Sequence, residues 1–187
     1  MAYSAAPMNK KTQDFFGSLD MPVIGLYGMS EVAAASTVWD LKRCRAYTSG
    51  VAIKGIEFKI ADPDAEGVGE ICMRGRTSFL GYFKNAEATR QVYDAEGYVH
   101  SGDLGKMPDG ILEITGRIKE LIITAGGENI PPVLIEHTFK EVCTIVSNVM
   151  VVGDNRRFLS AIVTLKVEWD QAKGVPLHTL STECKLQ

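Results

Sequence analysis

The four cysteines of this chain form no recognisable metal-binding or disulfide pattern. Cys44, Cys72, Cys143 and Cys184 include no CxxC pair and have no histidine at ligand spacing. Spacings of those kinds are what announce a zinc site or a disulfide framework in a sequence. We therefore expect reduced thiols and neither kind of site.

Long apolar runs and a cleavable leader are missing as well. No uninterrupted stretch of about 18 apolar residues occurs, which is roughly what a membrane-spanning helix needs. The amino-terminal region lacks a basic start followed by an apolar stretch and a small-residue cleavage site. We expect a soluble cytoplasmic protein, and peripheral attachment of a longer parent to an intracellular membrane stays open.

Neither sign of charge dominates. The 20 basic and 23 acidic residues are interspersed and leave a formal charge of -3. The one basic cluster, Lys42, Arg43 and Arg45, is typical of a solvated face. Because a nucleic-acid surface is usually strongly basic, the sequence predicts no nucleic-acid partner.

What is present is an ordinary globular composition, with 45% hydrophobic and 23% charged residues in 187. That length suits one domain, or a domain with a smaller companion. Beta-rich hairpins give way near Arg117 to a pattern that predicts a βαββ unit. We therefore predict two domains, residues 1–117 and 118–187.

Local patterns predict the elements within these two parts. The expected helices are residues 8–16, with Phe15, Phe16 and Leu19 facing a core, residues 85–92, capped by Asn85, and a third opened by Pro131-Pro132. Expected strands are residues 21–26, 57–60, 70–73, 98–100, 111–115, 121–124, 148–152 and 159–166. The strands between residues 50 and 76 predict a small antiparallel sheet or barrel.

The loop Tyr27-Gly28-Met29-Ser30-Glu31 offers a hydroxyl, a carboxylate and backbone amides within five residues. Ser30 could donate to a phosphoryl oxygen, Glu31 could hold Mg²⁺, and Gly28 would let the backbone approach a ligand closely. From these residues alone, a plain turn with a capping serine fits about as well.

Two further residues are candidates for a ribose. The Asp103 carboxylate can accept hydrogen bonds from both ribose hydroxyls, and the Arg117 guanidinium suits a ribose or a phosphate. The alternatives are a structural aspartate before a turn, and a surface ion pair of Arg117 with Glu113 or Glu120.

Glycines and histidines give weaker signals. Gly126 and Gly127 could bring the backbone close to a thin ligand or could simply turn the chain. His100 and His137 have no evident catalytic or metal partner in the sequence, so we interpret both as structural.

The order of these motifs resembles the adenylate-forming superfamily of acyl-CoA synthetases, luciferases and peptide-synthetase adenylation domains. The motifs are Ala5-Ala6-Pro7, Tyr27 to Glu31, Gly81-Tyr82, His100 to Gly105, Gly116 to Ile122 and Gly126 to Ile130. Residues 119–129 and 147–160 are most similar to long-chain, bubblegum-type fatty acyl-CoA synthetases.

This resemblance implies an α/β (α+β) fold: the end of a large AMP-binding domain with a small β-barrel-like part, then a small mobile βαββ domain. It implies a fatty acid, ATP and CoA as substrates and Mg²⁺ as a cofactor. The carboxylate would attack ATP to give an acyl-adenylate, and CoA would then displace AMP.

The resemblance also implies a role for each matching residue. Ala5 and Ala6 would border the adenine, Tyr27 would pack on its ring, Ser30 would bind the phosphoryl group and Glu31 the metal. Asp103 and Arg117 would hold the ribose, Lys119 would be the hinge between half-reactions, and Gly126 and Gly127 would line the CoA passage.

Two parts of the family pattern are not found in these residues. No Ser/Thr/Gly-rich loop ending in Pro-Lys-Gly occurs, and neither Lys173 nor Lys185 fits the catalytic lysine near the family's carboxyl end. We therefore expect a fragment of a larger enzyme that is inactive alone. The alternatives are an adenylation module that loads a carrier protein and a non-catalytic interaction fragment.

Overall fold

The structure is a computed structural model that describes residues 2–4, 8, 10–40, 42–43, 45–170 and 172–185. The chain divides into two compact units, Met1–Ile118 and Lys119–Gln187. No helix in the described ranges is long and apolar enough to cross a membrane.

The first unit is built mainly from short strands. Its elements are β1 (Ala2–Tyr3), α1 (Lys10–Ser18), β2 (Ile24–Gly25), β3 (Gly28–Met29), β4 (Ala34–Ala35), β5 (Thr37–Val38), β6 (Val51–Ala52), β7 (Ile56–Ala61), β8 (Gly69–Gly75), α2 (Ala86–Val92), β9 (Val99–Lys106) and β10 (Glu113–Arg117). The strand predicted over residues 21–26 is reduced to β2, which pairs in parallel with β1.

A four-stranded antiparallel sheet in the order β10-β9-β8-β7 forms the centre of this unit. Ile71 and Met73 in β8, Val99 in β9 and Leu112 just before β10 are all 0% exposed. Burying each such side chain stabilises the fold by about 1.5–3 kcal/mol. The predicted antiparallel sheet is confirmed, and among the described strands it is open at β7 and β10 and does not close into a barrel.

Helix α1 does not bury the face that its sequence suggested. Phe15 is 59% exposed and Leu19 is 54% exposed, whereas the one buried residue of the helix is Gln13. The Gln13 amide donates to the Tyr3 hydroxyl at 3.2 Å. The expectation that Phe15 and Leu19 face a core was therefore wrong, because apolar character alone does not say which neighbours a short helix will meet.

The second unit contains β11 (Ile122–Ile123), β12 (Asn129–Ile130), α3 (Pro132–Val142), β13 (Val146–Val152), β14 (Ser160–Leu165), β15 (Val167–Asp170), β16 (Val175–Leu180) and α4 (Thr182–Lys185). The predicted helix and the β13-β14 hairpin are present. The first strand of the expected βαββ pattern, β11, pairs with β12, a short strand that was not predicted. The tail adds the β15-β16 hairpin.

Helix α3 packs on β13 within this unit. The Glu136 carboxylate on α3 accepts a hydrogen bond from the Val151 amide at 2.8 Å. Ile122, Val146 and Val151 are buried, whereas β14 is exposed along its whole length among the described residues.

Candidate functional site

The loop Tyr27–Glu31 is a tight turn that requires glycine at position 28. Strands β3 and β4 pair directly, so that a Cβ added at Gly28 would lie 1.5 Å from the Ala34 carbonyl oxygen. A short 3-10 turn, Ser30–Val32, follows at once and leaves Ser30 exposed. The Ser30 hydroxyl is thus available to a ligand.

Glu31 of this loop is held by a tyrosine that follows β8. The Tyr82 hydroxyl donates to Glu31 Oε1 at 2.7 Å, and the Phe79 amide donates to the Glu31 backbone carbonyl at 2.8 Å. The hydrogen bond to Glu31 raises the pKa of the Tyr82 phenol. Tyr82 was recognised in the sequence only as part of a motif, because no local signal links it to a residue so far away in the chain.

The structure brings three of the predicted site residues together. The Tyr27 hydroxyl donates to Asp103 Oδ2 at 2.8 Å, and Arg117 Nε donates to Asp103 Oδ1 at 3.1 Å. The Asp103 side chain is 17% exposed and that of Arg117 is 60% exposed. A carboxylate has about four lone-pair positions, so Asp103 keeps acceptor capacity for a ligand.

Tyr27 takes part in the candidate site mainly through its hydroxyl group. Its ring belongs to the core cluster with Val32 and Leu112 and is only 7% exposed. Little of that ring is open to an adenine, and its packing on the base stays a prediction. Burial, followed by the nearby Asp103 carboxylate, raises the pKa of the Tyr27 phenol above its usual 10.0. The hydroxyl therefore remains a hydrogen-bond donor at neutral pH.

Asp103 reaches this position because β9 bulges. Glu70 pairs with Leu104 and Cys72 pairs with His100, so that the segment Ser101–Asp103 lies opposite Ile71 alone. Gly102, in the middle of the segment, has φ +73, a conformation that costs glycine little. Bulges of this kind re-aim a side chain out of a regular ladder.

The second unit holds three further predicted residues, Lys119, Gly126 and Gly127. Lys119 lies in an exposed 3-10 turn, Ile118–Glu120, where the second unit begins. Gly126 and Gly127 form the turn that joins β11 to β12, in which Gly127 has φ +81 and donates its amide to the Thr124 carbonyl at 2.9 Å. Both glycines are exposed. Ala5 and Ala6 lie outside the described residues.

Among the residues that the structure describes, Glu70, Cys72 and His100 form a group that could hold a metal, with ligand atoms within 4.8 Å of one another. The sequence did not predict this group, because Cys72 and His100 are far apart in the chain and meet only as a cross-strand pair. Burial raises the pKa of the Cys72 thiol to about 12, which favours the neutral thiol. Hydrogen bonds of Glu70 to its neighbours account for the arrangement, and Glu31 stays the predicted metal ligand.

Comparisons with known proteins identify the family of the chain. Residues 1–83 match the AMP-binding enzyme family, and residues 119–179 match the AMP-binding enzyme C-terminal domain. Long-chain-fatty-acid–CoA ligase ACSBG2 of Gallus gallus is 49% identical over 180 residues, which is 96% of this chain and 24% of that protein. The chain thus spans about a quarter of the length of this curated relative.

Solved structures show the same fold. The ATP-bound RpMatB-BxBclM chimera B3 superposes with a TM-score of 0.77 at 28% identity, covering 89% of this chain and 35% of that one. O-succinylbenzoate coenzyme A synthetase from Bacillus subtilis, in complex with ATP and magnesium ion, gives 0.74 at 22% identity, covering 97% and 41%. Since the two family matches together cover more than three quarters of its residues, the chain belongs to the AMP-binding, adenylate-forming enzymes and resembles their bubblegum-type long-chain-fatty-acid–CoA ligases.

Proposed function

We propose that this chain supplies the ribose- and phosphate-binding part of an ATP-dependent long-chain fatty acyl-CoA synthetase. The observation that carries the proposal is the Tyr27–Asp103–Arg117 constellation, which presents a fixed carboxylate at a bulge. Support for the substrate class comes from the name of the Gallus gallus relative.

Asp103 and Arg117 are proposed to bind the ribose. Asp103 accepts from the ribose hydroxyls while Arg117 and Tyr27 fix both of its oxygens, so that the carboxylate loses little freedom on binding. The Arg117 guanidinium carries five N–H donors, a geometry that suits ribose or phosphate oxygens. Ala5 and Ala6 are proposed to border the adenine.

The loop Tyr27–Glu31 is proposed to bind the phosphates. The exposed Ser30 hydroxyl donates to a phosphoryl oxygen, and the missing side chain of Gly28 lets the backbone approach. Glu31, oriented by Tyr82, would hold Mg²⁺ through a carboxylate oxygen, the kind of ligand this ion prefers. Mg²⁺ would offset phosphate charge during attack by the fatty acid carboxylate.

The second unit is proposed to serve the transfer to CoA. The backbone turn at Gly126 and Gly127 has no side chains to obstruct a thin ligand, which suits the passage of CoA. Lys119, at the start of this unit, is proposed as the hinge between the adenylating and thioester-forming steps.

A chimeric enzyme tests the proposal directly. The chain replaces its matching segment in the Gallus gallus ligase, and acyl-CoA formation from fatty acid, ATP and CoA is measured. We expect the chimera to make acyl-CoA and the isolated chain to make none, because the sequence contains no Pro-Lys-Gly phosphate loop. A folded chimera that exchanges no pyrophosphate into ATP would contradict the proposed function.

Asp103→Ala in this chimera should raise the KM for ATP by about tenfold to a hundredfold, because each lost charge-assisted hydrogen bond is worth roughly 1.5–3 kcal/mol. Asp109→Ala is the matched control: Asp109 is an exposed aspartate of the same unit that pairs with Arg45. Its KM should stay unchanged. An unchanged KM for Asp103→Ala would show that Asp103 is structural.

A further inference from the structure

We infer that Glu70 is a positioning residue that holds the bulged segment Ser101–Asp103, and so aims Asp103 at the ligand. The inference rests on the proposed role of Asp103 in binding ribose. Glu70 belongs to β8 and lies on the same face of that strand as the buried Cys72, two residues further on. It was not among the residues that the sequence singled out.

The bulge leaves backbone amides without ladder partners, and Glu70 accepts a hydrogen bond from one of them. In a regular antiparallel ladder each residue of β8 would face one residue of β9, but here three residues of β9 lie opposite Ile71. The amides of such extra residues lose their ladder partners. A polar backbone group left unpaired in a partly buried place costs free energy and would let the segment relax to another conformation.

The Glu70 carboxylate contacts Gly102 inside the segment and His100 directly before it. Its Oε1 accepts from the Gly102 amide at 2.8 Å, and its Oε2 lies 2.7 Å from His100 Nδ1. The Ser101 hydroxyl accepts from the Asp103 amide at 3.0 Å. Side chains thus replace the missing ladder bonds at Gly102 and Asp103.

Burial and charge make these contacts strong. The Glu70 side chain is only 20% exposed and that of His100 is 31% exposed, so solvent competes weakly for the carboxylate. Hydrogen bonds to a carboxylate are stronger than those between neutral groups. Because Gly102 directly precedes Asp103, fixing the Gly102 amide fixes the direction in which the Asp103 side chain leaves the backbone.

The first test compares the affinities of the 187-residue chain for two nucleotides. Binding of ATP and of 2′,3′-dideoxy-ATP is measured for the unaltered chain, Glu70→Ala and Glu70→Gln. We expect Glu70→Ala to weaken ATP binding roughly tenfold and to leave dideoxy-ATP binding unchanged, because the latter lacks the hydroxyls that Asp103 binds. Glu70→Gln should restore most of the preference, since its amide oxygen still accepts from the Gly102 amide.

Glu57→Ala is the matched control. It removes a carboxylate from β7 of the same sheet, where Glu57 accepts from Arg74 and Tyr98 rather than from the bulged segment. It should leave the preference for ATP intact. Equal weakening of both nucleotides in Glu70→Ala would reduce Glu70 to a general structural role and overturn the inference.

The second test needs no nucleotide. In NMR spectra of the chain, the Nε proton of Arg117 reports its bond to Asp103. Glu70→Ala should lose protection of this proton and of the Gly102 amide, and Glu70→Gln should keep it. If both signals are unchanged in Glu70→Ala, Glu70 does not position the segment. If the unaltered chain binds both nucleotides equally, the ribose role of Asp103 fails, and this second test still decides what Glu70 does.

Discussion

At the scale of single residues, Tyr27 joins the core to the candidate site. Its ring packs in the core cluster, whereas its hydroxyl fixes one oxygen of Asp103. A phenylalanine would keep the packing and lose only the hydroxyl. Core stability and carboxylate orientation can therefore be separated by one substitution.

Tyr27→Phe should change how the free energy of unfolding varies with pH in the alkaline range. Burial raises the pKa of the native Tyr27 phenol above its usual 10.0, so above that pH the unfolded chain releases a proton that the native chain retains. The free energy of unfolding therefore falls as pH rises, by up to about 1.4 kcal/mol per pH unit for this group. Tyr27→Phe should make the fall between pH 10 and 11 shallower by about 1 kcal/mol, because the unfolded phenol is only half ionised at pH 10, as measured by urea denaturation.

The exposed Tyr47 supplies the control for this experiment. Tyr47 is 43% exposed, and solvent screens the interactions of such a phenol. Tyr47→Phe should therefore change the slope less than Tyr27→Phe. A slope for Tyr27→Phe equal to that of the unaltered chain would show that the Tyr27 phenol ionises normally in the folded chain.

At the scale of elements, the short helix α2 depends on its cap. Asn85 Oδ1 accepts from the Ala88 amide at 3.1 Å, as the sequence predicted. Thr89 on α2 accepts from the Tyr82 amide at 2.9 Å, and Tyr82 in turn binds Glu31. The cap thus supports the proposed metal-binding carboxylate through a chain of hydrogen bonds.

Asn85→Ala should lower the free energy of unfolding by about 1 kcal/mol, because the cap satisfies an otherwise unpaired amide at the start of the helix. Urea denaturation measures the change. Asn85→Asp keeps an accepting oxygen and should cost much less. Equal losses in the two variants would mean that the side-chain oxygen of residue 85 does not cap α2.

The elements that the sequence predicted well are those specified by their own residues. The cap of α2, the prolines that open α3 and the apolar runs in β8 and β13 are local signals, and the structure confirms the elements. Strand β12 was missed, because the two residues Asn129–Ile130 are too short a stretch to give a strand signal of their own. Pairing also depends on distant residues, and for that reason the bulge in β9 was missed: only its register against β8 shows the extra residues.

The candidate site was predictable to the same extent. Asp103 and Arg117 were found from residue type and order, and the structure adds that they touch. Their supporting residues, Glu70 and Tyr82, carry no local signature, because each acts across a long separation in the chain. The chemical type of a site residue can be read from the sequence, whereas the direction of its side chain depends on contacts that form only in the folded chain.

At the scale of the whole molecule, Lys119 stands where the second unit begins. Arg117, the last residue of β10, precedes it by two positions and binds Asp103 in the first unit. The proposed hinge therefore follows directly after a residue that is anchored to the proposed ribose site.

Lys119→Pro in the chimeric enzyme should impair transfer of preformed acyl-adenylate to CoA more than pyrophosphate exchange. Proline fixes φ near about −65° and removes the amide donor, so it should favour one backbone arrangement at the hinge. Lys119→Ala keeps backbone freedom and should affect both steps little. Equal losses in both assays for Lys119→Pro would withdraw the hinge assignment.

The bulge also limits how this part of the gene can vary. Removing two of the three residues in the segment Ser101–Asp103 would let β8 and β9 pair without interruption, giving a more regular sheet. Such a deletion would cost little in folding while it took the carboxylate away from its ligand. Removing one residue would instead turn the following side chains to the opposite face. Natural relatives that retain nucleotide binding should therefore keep both the length of this segment and the aspartate that ends it.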